Sequence, residues 1–236
     1  MKKFVLAAAA FALASAFLSA GDVAVFVDGG FSSDGKSYVF GQYGKTDVKF
    51  QGWAELYQVD IKSNDYVDGG VFRIKPTAVT SDKSGKEVFE ALEAKSYYYM
   101  KNLACEKADV EHVLYVLDNG QKAGSDEIVF KDFRSSSVDS QNSYHVQLVP
   151  TFSGNGKNIK SSFYIMLEKR NASGDVILRQ KIGSPQIVRN GVSGYRIERI
   201  MSDRSEKKLI FVVEKMTEDD TGVSVRYMVE AAELKD

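Results

Sequence analysis

The chain has 236 residues, of which 44% are hydrophobic and 27% charged, with 31 Lys and Arg against 32 Asp and Glu. This composition excludes an intrinsically disordered protein, which would be poor in apolar residues and high in net charge. A charge balance this close to zero lacks the basic surplus of nucleic-acid-binding proteins, so we expect no nucleic acid partner. The chain has one cysteine and so cannot form an internal disulfide.

The first twenty residues have the layout of a secretory signal peptide. Met1–Lys3 is basic, Phe4–Leu18 is apolar, and small residues follow up to Ala20. An apolar run of about 15 residues is short for a membrane-spanning helix. The sequence predicts export to the periplasm or beyond, cleavage after Ala20, and a single β-rich domain over residues 21–236 with no transmembrane segment. Cleavage after Ala16 and an uncleaved anchor are the alternatives.

Short β-branched and apolar segments, separated by Gly, Asn, Asp and Ser clusters, dominate the rest of the chain. This pattern is typical of antiparallel hairpins. Leu209–Val213 is apolar without a break, which predicts a strand covered on both faces in layered sheets or a propeller-like arrangement. Val223–Val229 alternates, which predicts one buried and one exposed face. The predicted strands are Val23–Asp28, Tyr38–Tyr43, Trp53–Ile61, Val71–Ile74, Ile128–Phe133, Tyr144–Phe152, Ser162–Lys169, Val176–Ile182, Tyr195–Met201, Leu209–Lys215 and Val223–Val229, and Val110–Leu117 fits either a strand or a helix.

One long amphipathic helix is predicted near residues 85–104, as an insertion in this mainly β chain. Ser84 and Glu87 have the spacing of a capping box at its start. At 100° a residue, the apolar side chains form one stripe that should pack on the strands. Tyr97 and Tyr98 lie off this stripe, which makes them the candidate binding residues. The stripe consists of Val88, Phe89, Leu92, Ser96, Tyr99, Met100 and Leu103.

A turn motif recurs at Phe31–Lys36, Phe152–Lys157 and Met201–Lys208. Its Ser, Asp and Gly residues are suited to reversing the chain into the next strand. The first copy resembles the strand-turn-strand unit of the β-propeller repeats in TolB-like periplasmic proteins, with Ser33 in place of a Pro. The three copies start 121 and 49 residues apart, and only the shorter step fits one propeller blade.

A wider resemblance covers nearly all of the predicted mature chain. Gly30–Lys36, Phe40–Gly44 and Val59–Asp60 are similar to the opening of a family of predicted secreted bacterial proteins catalogued as a domain of unknown function. Arg189–Tyr195 and Val225–Glu230 are similar to the C-terminal half of the same family. The resemblance implies export and supplies no catalytic residues.

Residues suited to metal or nucleophilic chemistry are few and scattered. The two histidines, His112 and His145, do not lie at zinc-ligand spacing from each other or from Cys105. The Asp-rich stretch over residues 28–68 lacks the EF-hand order and fits turns better than a calcium site. No P-loop, dinucleotide fingerprint or G-x-S-x-G elbow occurs. We therefore expect no metal, no cofactor and no catalytic residue.

The functional hypothesis from these observations is a non-enzymatic exported envelope protein that binds a protein or ligand through its turns and the exposed side of the helix. An envelope protein is the expected partner, and the sequence does not predict an oligomeric state. The alternatives are a structural envelope component and a secreted hydrolase, whose site would combine Ser and Asp with His112 or His145 from distant strands. Cys105 is expected to be a small buried hydrophobe rather than a reactive thiol.

Overall fold

The computed structural model describes residues 20–118, 127–132 and 141–235. Within them the protein is mainly β, with three sheets and one long α-helix. The strands are β1 (Ala20–Val23), β2 (Val25–Phe31), β3 (Ser37–Lys45), β4 (Gly52–Asp60), β5 (Asp65–Ile74), β6 (Val113–Val116), β7 (Ile128–Lys131), β8 (Ser143–Ser153), β9 (Lys160–Arg170), β10 (Val176–Ile182), β11 (Arg189–Asn190), β12 (Val192–Ser202), β13 (Lys208–Asp219) and β14 (Gly222–Glu233). The helix is α1 (Gly85–Leu103), and 3-10 turns cover Ala78–Thr80, Val110–His112 and Gly156–Asn158.

The three sheets are named here by their position. The helix-bearing sheet has the order β2-β3-β4-β5, and the central sheet has the order β1-β14-β13-β12-β6. The far sheet has the order β10-β9-β8-β7, with β11 also paired to β9. Every pair is antiparallel except β1 with β14. Every predicted strand segment overlaps an observed strand, and Val110–Leu117 forms a 3-10 turn followed by β6.

The central sheet is covered on both of its faces. Leu209, Phe211 and Val213 of β13 belong to the apolar core that it shares with the far sheet. Ile210 and Val212 belong to the core that it shares with the helix-bearing sheet. This confirms the two-faced burial predicted from the unbroken apolar run, and of the layered and propeller-like alternatives the structure has the layered one.

The helix covers the opposite face of the helix-bearing sheet. Val88, Phe89 and Leu92 of α1 pack with Val39 and Leu56 in a third apolar core. The order of layers is therefore helix, helix-bearing sheet, central sheet and far sheet. Each fully buried side chain of this size contributes about 1.5–3 kcal/mol through removal of its surface from water.

The alternating pattern of Val223–Val229 led to a wrong expectation. Met228 and Glu230, which were expected on an exposed face, are both buried. The reason is that β14 lies inside the central sheet and needs cover on both faces. Burial raises the pKa of Glu230, and its carboxylate accepts a hydrogen bond from the amide of Asn64 and lies 3.7 Å from the Arg189 guanidinium.

The turn motif has the hydrogen bonds expected from its residues. In the first copy, Asp34 accepts the backbone N–H of Lys36 at 3.0 Å. In the third copy, Asp203 accepts the backbone N–H of Lys208 at 2.9 Å. The Lys208 ammonium group also donates to the carbonyl oxygen of Gly35 at 2.6 Å. The first and third turns therefore hold each other at one end of the layers.

The predicted signal peptide, residues 1–20, lies outside the described residues except for Ala20, so its cleavage stays a prediction. The next residues form most of β1. The buried Asp22 carboxylate accepts the indole N–H of Trp53 at 2.9 Å and the guanidinium of Arg226 at 2.5 Å. The same guanidinium lies 4.0 Å from the centre of the Trp53 ring. These contacts fix β1 against the helix-bearing sheet and β14.

Candidate functional site

The outer face of α1 is oriented by both ends of the helix and by its inner face. Ser84 accepts the backbone N–H of Glu87 at 3.2 Å, and Glu87 accepts the backbone N–H of Ser84 at 2.7 Å. This confirms the predicted capping box, which typically stabilises a helix by about 1 kcal/mol. The helix ends at Leu103, one residue before the predicted boundary, because Ala104 takes the left-handed conformation with φ 44°.

Tyr97 and Tyr98 lie on the outer face, where the stripe analysis placed them. Their exposed fractions are 54% and 81%, and their ring centroids are 5.4 Å apart in an edge-to-face contact. The Lys101 ammonium group lies 5.9 Å from the centre of the Tyr97 ring. Ala94 precedes both tyrosines by about one turn and is too small to cover their rings. We call Ala94, Tyr97, Tyr98 and Lys101 the tyrosine ridge.

Tyr99 has a different role from its two neighbours. Its hydroxyl donates a hydrogen bond to the side-chain oxygen of Gln58 in β4, and its ring lies 5.0 Å from that of Phe72 in β5. Burial raises its pKa. Tyr99 therefore fastens the helix to the sheet, and the two exposed tyrosines are left with their rings turned to solvent.

A charged cluster lies on β12 and β13. Arg196 pairs with Glu214 at 2.6 Å, and Arg199 pairs with Glu198 at 3.3 Å. Burial raises the pKa of Glu198. Its Oε2 and the Nε of Arg199 are both buried and have no hydrogen-bond partner among the residues that the structure describes. The two ion pairs balance these four charges, so this cluster holds no surplus charge for an ionic ligand.

His112 lies in an acidic turn between α1 and β6. Among the described residues, Asp109, Glu111 and His112 are a group whose ligand atoms all lie within 4.8 Å of one another, close enough to hold a metal ion. Within the ranges that the structure describes, the buried Nδ1 of His112 has no hydrogen-bond partner. The Arg204 guanidinium, however, donates to Asp109 at 3.2 Å and pairs with Glu106 at 2.8 Å. Cys and His spacings do not indicate this group, and its signal in the sequence is the Asp-x-Glu-His segment Asp109–His112.

The Asp-rich stretch over residues 28–68 supplies local hydrogen bonds. Asp60 accepts the backbone N–H of Ser63 at 2.8 Å, and this bond lowers its pKa. Asp28 accepts the hydroxyl of the buried Tyr38 at 2.7 Å. The Asp60 contact is the turn role favoured from the sequence, whereas Asp28 lies in β2 and bonds a side chain of β3.

Cys105 follows α1 and is half-buried against the core between the helix and its sheet. Burial, with a smaller contribution from Asp34, raises the pKa of its thiol from 9.0 to about 11. We predict that iodoacetamide alkylates Cys105 about a hundred-fold more slowly in the native protein than in denaturant, because the reactive thiolate is that much scarcer at pH 8. Equal rates in both conditions would show instead that the thiol is open and activated.

His145 lies on the far sheet, within hydrogen-bond distance of Ser143 and Glu127. It is thus on the opposite side of the layers from the tyrosine ridge.

Within the part of the chain that the structure describes, no helix combines the length and the apolar character needed to cross a membrane.

Comparison with known proteins gives one match. No curated protein and no solved structure matches the chain, and nothing supports the TolB-like propeller resemblance of the first turn. A family model described as "Predicted secreted protein (DUF2259)" matches residues 39–233. This agrees with the export predicted from the first twenty residues. Because the match covers most of the sequence, the chain belongs to this family of predicted secreted proteins.

Proposed function

We propose that this exported protein is a binding protein that docks a partner protein of the cell envelope through the tyrosine ridge. The observation that carries the proposal is the exposure of Tyr97 and Tyr98, 54% and 81%, on a helix whose other face packs on the helix-bearing sheet. Tyrosine rings bury a large area at a low cost in conformational entropy and are enriched among the residues that dominate binding energy.

The shape of the ridge favours a protein over a small molecule. Small ligands are held in concave sites that surround most of their surface, whereas α1 forms the outermost layer and its ridge is convex. A helix of this kind fits an apolar groove on another protein. A carboxylate at that end of the groove would complement the charge of the Lys101 ammonium group beside Tyr97.

The test is photo-cross-linking in the cells that produce the protein, with benzoylphenylalanine in place of Tyr98. We expect one discrete adduct, whose partner is then identified and purified. The matched control places the same group at Ile177, an exposed apolar position in β10 of the far sheet. Equal adducts from both positions, or none from Tyr98, would contradict docking on the ridge.

Affinity for the purified partner provides the second measurement. Tyr97→Ala with Tyr98→Ala should weaken binding at least 30-fold, because loss of one hot-spot side chain costs about 2 kcal/mol or more. The control is Lys86→Ala with Glu90→Ala, which removes an exposed ion pair of 3.9 Å from the first half of the same helix. This double substitution should leave the affinity for the partner within about twofold of that of the unaltered protein, since exposed ion pairs contribute little.

A further inference from the structure

The far sheet carries Ser143 and His145 on its outer face. The two residues are two apart in β8 and therefore point to the same side of the sheet. Tyr144 and Val146, which point to the other side, are buried in the core shared with the central sheet. Glu127 lies directly before β7, the strand that pairs with β8. Strand register thus brings a hydroxyl, an imidazole and a carboxylate together on the solvent side.

The hydroxyl, the imidazole and the carboxylate lie side by side in one row. The Ser143 hydroxyl lies 3.0 Å from Nε2 of His145, and Nδ1 of His145 lies 2.9 Å from a carboxylate oxygen of Glu127. Among the described residues the buried Nδ1 has no hydrogen-bond partner, so Glu127 acts on the ring through its negative charge. With the ring hydrogen on Nδ1, Nε2 accepts the hydrogen of Ser143. This order of donor and acceptor is the one that activates a serine nucleophile.

We propose that Ser143, His145 and Glu127 form a hydrolytic site for carboxylic esters, with Ser143 as nucleophile, His145 as general base and Glu127 as a positioning residue. Arg170 holds Glu127 from the other side at 3.2 Å. The site is beyond the docking function of the helix, because the two lie on opposite outer faces of the layered structure.

The residues beside Ser143 and His145 indicate the substrate. Ser143 lies directly opposite Lys131 in β7 and Arg170 in β9. The Arg170 guanidinium is paired with Glu127 and Glu168, so Lys131 is the cationic side chain beside the place where negative charge would develop on the substrate oxygen. His145 lies opposite Val129, whose side chain is 54% exposed. An ester with a short apolar acyl group fits this combination of an apolar contact and nearby positive charge.

The reaction proceeds in two balanced halves. The Ser143 oxygen bonds to the carbonyl carbon of the ester while its proton passes to Nε2 of His145. The bond to the leaving alkoxide then breaks, and the alkoxide takes the proton from Nε2 to leave as an alcohol. In the second half water attacks the acyl-serine, gives one proton to Nε2, and releases the carboxylic acid as the serine oxygen regains a proton.

The test uses a fluorophosphonate, which bonds to activated serines with loss of fluoride, and hydrolysis of p-nitrophenyl acetate by the same purified protein. We expect peptide mass spectrometry to find the label on Ser143. Ser143→Ala should abolish labelling, and His145→Gln should slow both reactions about 10²–10⁴-fold, the usual contribution of a general base. Ser153→Ala, at the exposed far end of β8, is the matched control and should react like the unaltered protein.

The role of Glu127 is tested by a pair of substitutions. Glu127→Gln should slow labelling at least tenfold, while Glu127→Asp, which keeps the carboxylate, should recover most of the rate. Thermal unfolding of each variant establishes that it is folded. Absence of label in the unaltered protein, label on another serine, or esterase activity that survives Ser143→Ala would overturn the proposal.

Discussion

Gly30→Ala is expected to lower the free energy of unfolding by about 3 kcal/mol or more, although it adds a single methyl group. Gly30 has φ +94°, and a Cβ there would lie 2.3 Å from the carbonyl oxygen of Glu106 and 2.4 Å from its carbonyl carbon. These are backbone atoms, held by two hydrogen bonds of 2.8 Å between Phe31 and Glu106. The methyl group can fit only if this bridge breaks, which would detach the segment after α1 from β2.

Gly69→Ala is the matched control for this prediction. Gly69 also has a left-handed conformation, with φ +72°, but a Cβ there meets no atom of the described part of the chain within 4 Å. It should therefore cost only the conformational penalty, about 1 kcal/mol. Urea unfolding of both variants measures the difference. Equal losses would mean that the conformation alone matters and that the bridge to Glu106 adjusts freely.

Phe211→Ala is expected to lower the free energy of unfolding by about 3–5 kcal/mol, the range for removal of a buried aromatic side chain. Phe211 is 0% exposed in the first half of β13 and packs in the core between the central and far sheets. Because sheets cover both faces of this strand, the neighbouring side chains have little freedom to fill the cavity that the missing ring would leave.

The control for Phe211 is Phe50→Ala. Phe50 is 64% exposed between β3 and β4, so its removal should change stability by no more than about 0.5 kcal/mol. The shift of the urea midpoint measures both variants. A similar small shift for Phe211→Ala would contradict the tight packing of the central layer.

Local patterns in the sequence predicted the elements well. The spacing of Ser84 and Glu87 marked the helix start, because a capping box involves only neighbouring residues. The unbroken apolar run Leu209–Val213 indicated cover on both faces of a strand, and this too depends only on residues that are neighbours in the sequence. The burial of Glu230 could not be predicted locally, since it depends on Asn64 and Arg189, which the fold brings from distant positions.

The candidate sites also contain some residues that local sequence predicts and others that only the fold brings together. The outward direction of Tyr97 and Tyr98 follows from helical periodicity alone. The predicted strand Tyr144–Phe152 begins one residue after Ser143, so the sequence did not place Ser143 and His145 together on one face. Glu127 could not be added to them from the sequence, because its approach to His145 depends on which strand pairs with β8 and in which register.

The central sheet takes most of its strands from the end of the chain. The helix-bearing sheet and α1 are complete by Leu103. The inner apolar face of this sheet, however, is covered by β12, β13 and β14, which span Val192–Glu233. The parallel pairing of β1 with β14 also joins the first described strand to the last. A chain that is delivered from its N-terminus therefore cannot bury its main cores until nearly all of it has emerged. Cores that close this late are compatible with passage across a membrane as an unfolded chain. Protection of the exposed apolar surface by a chaperone is then most valuable just before the last strands arrive.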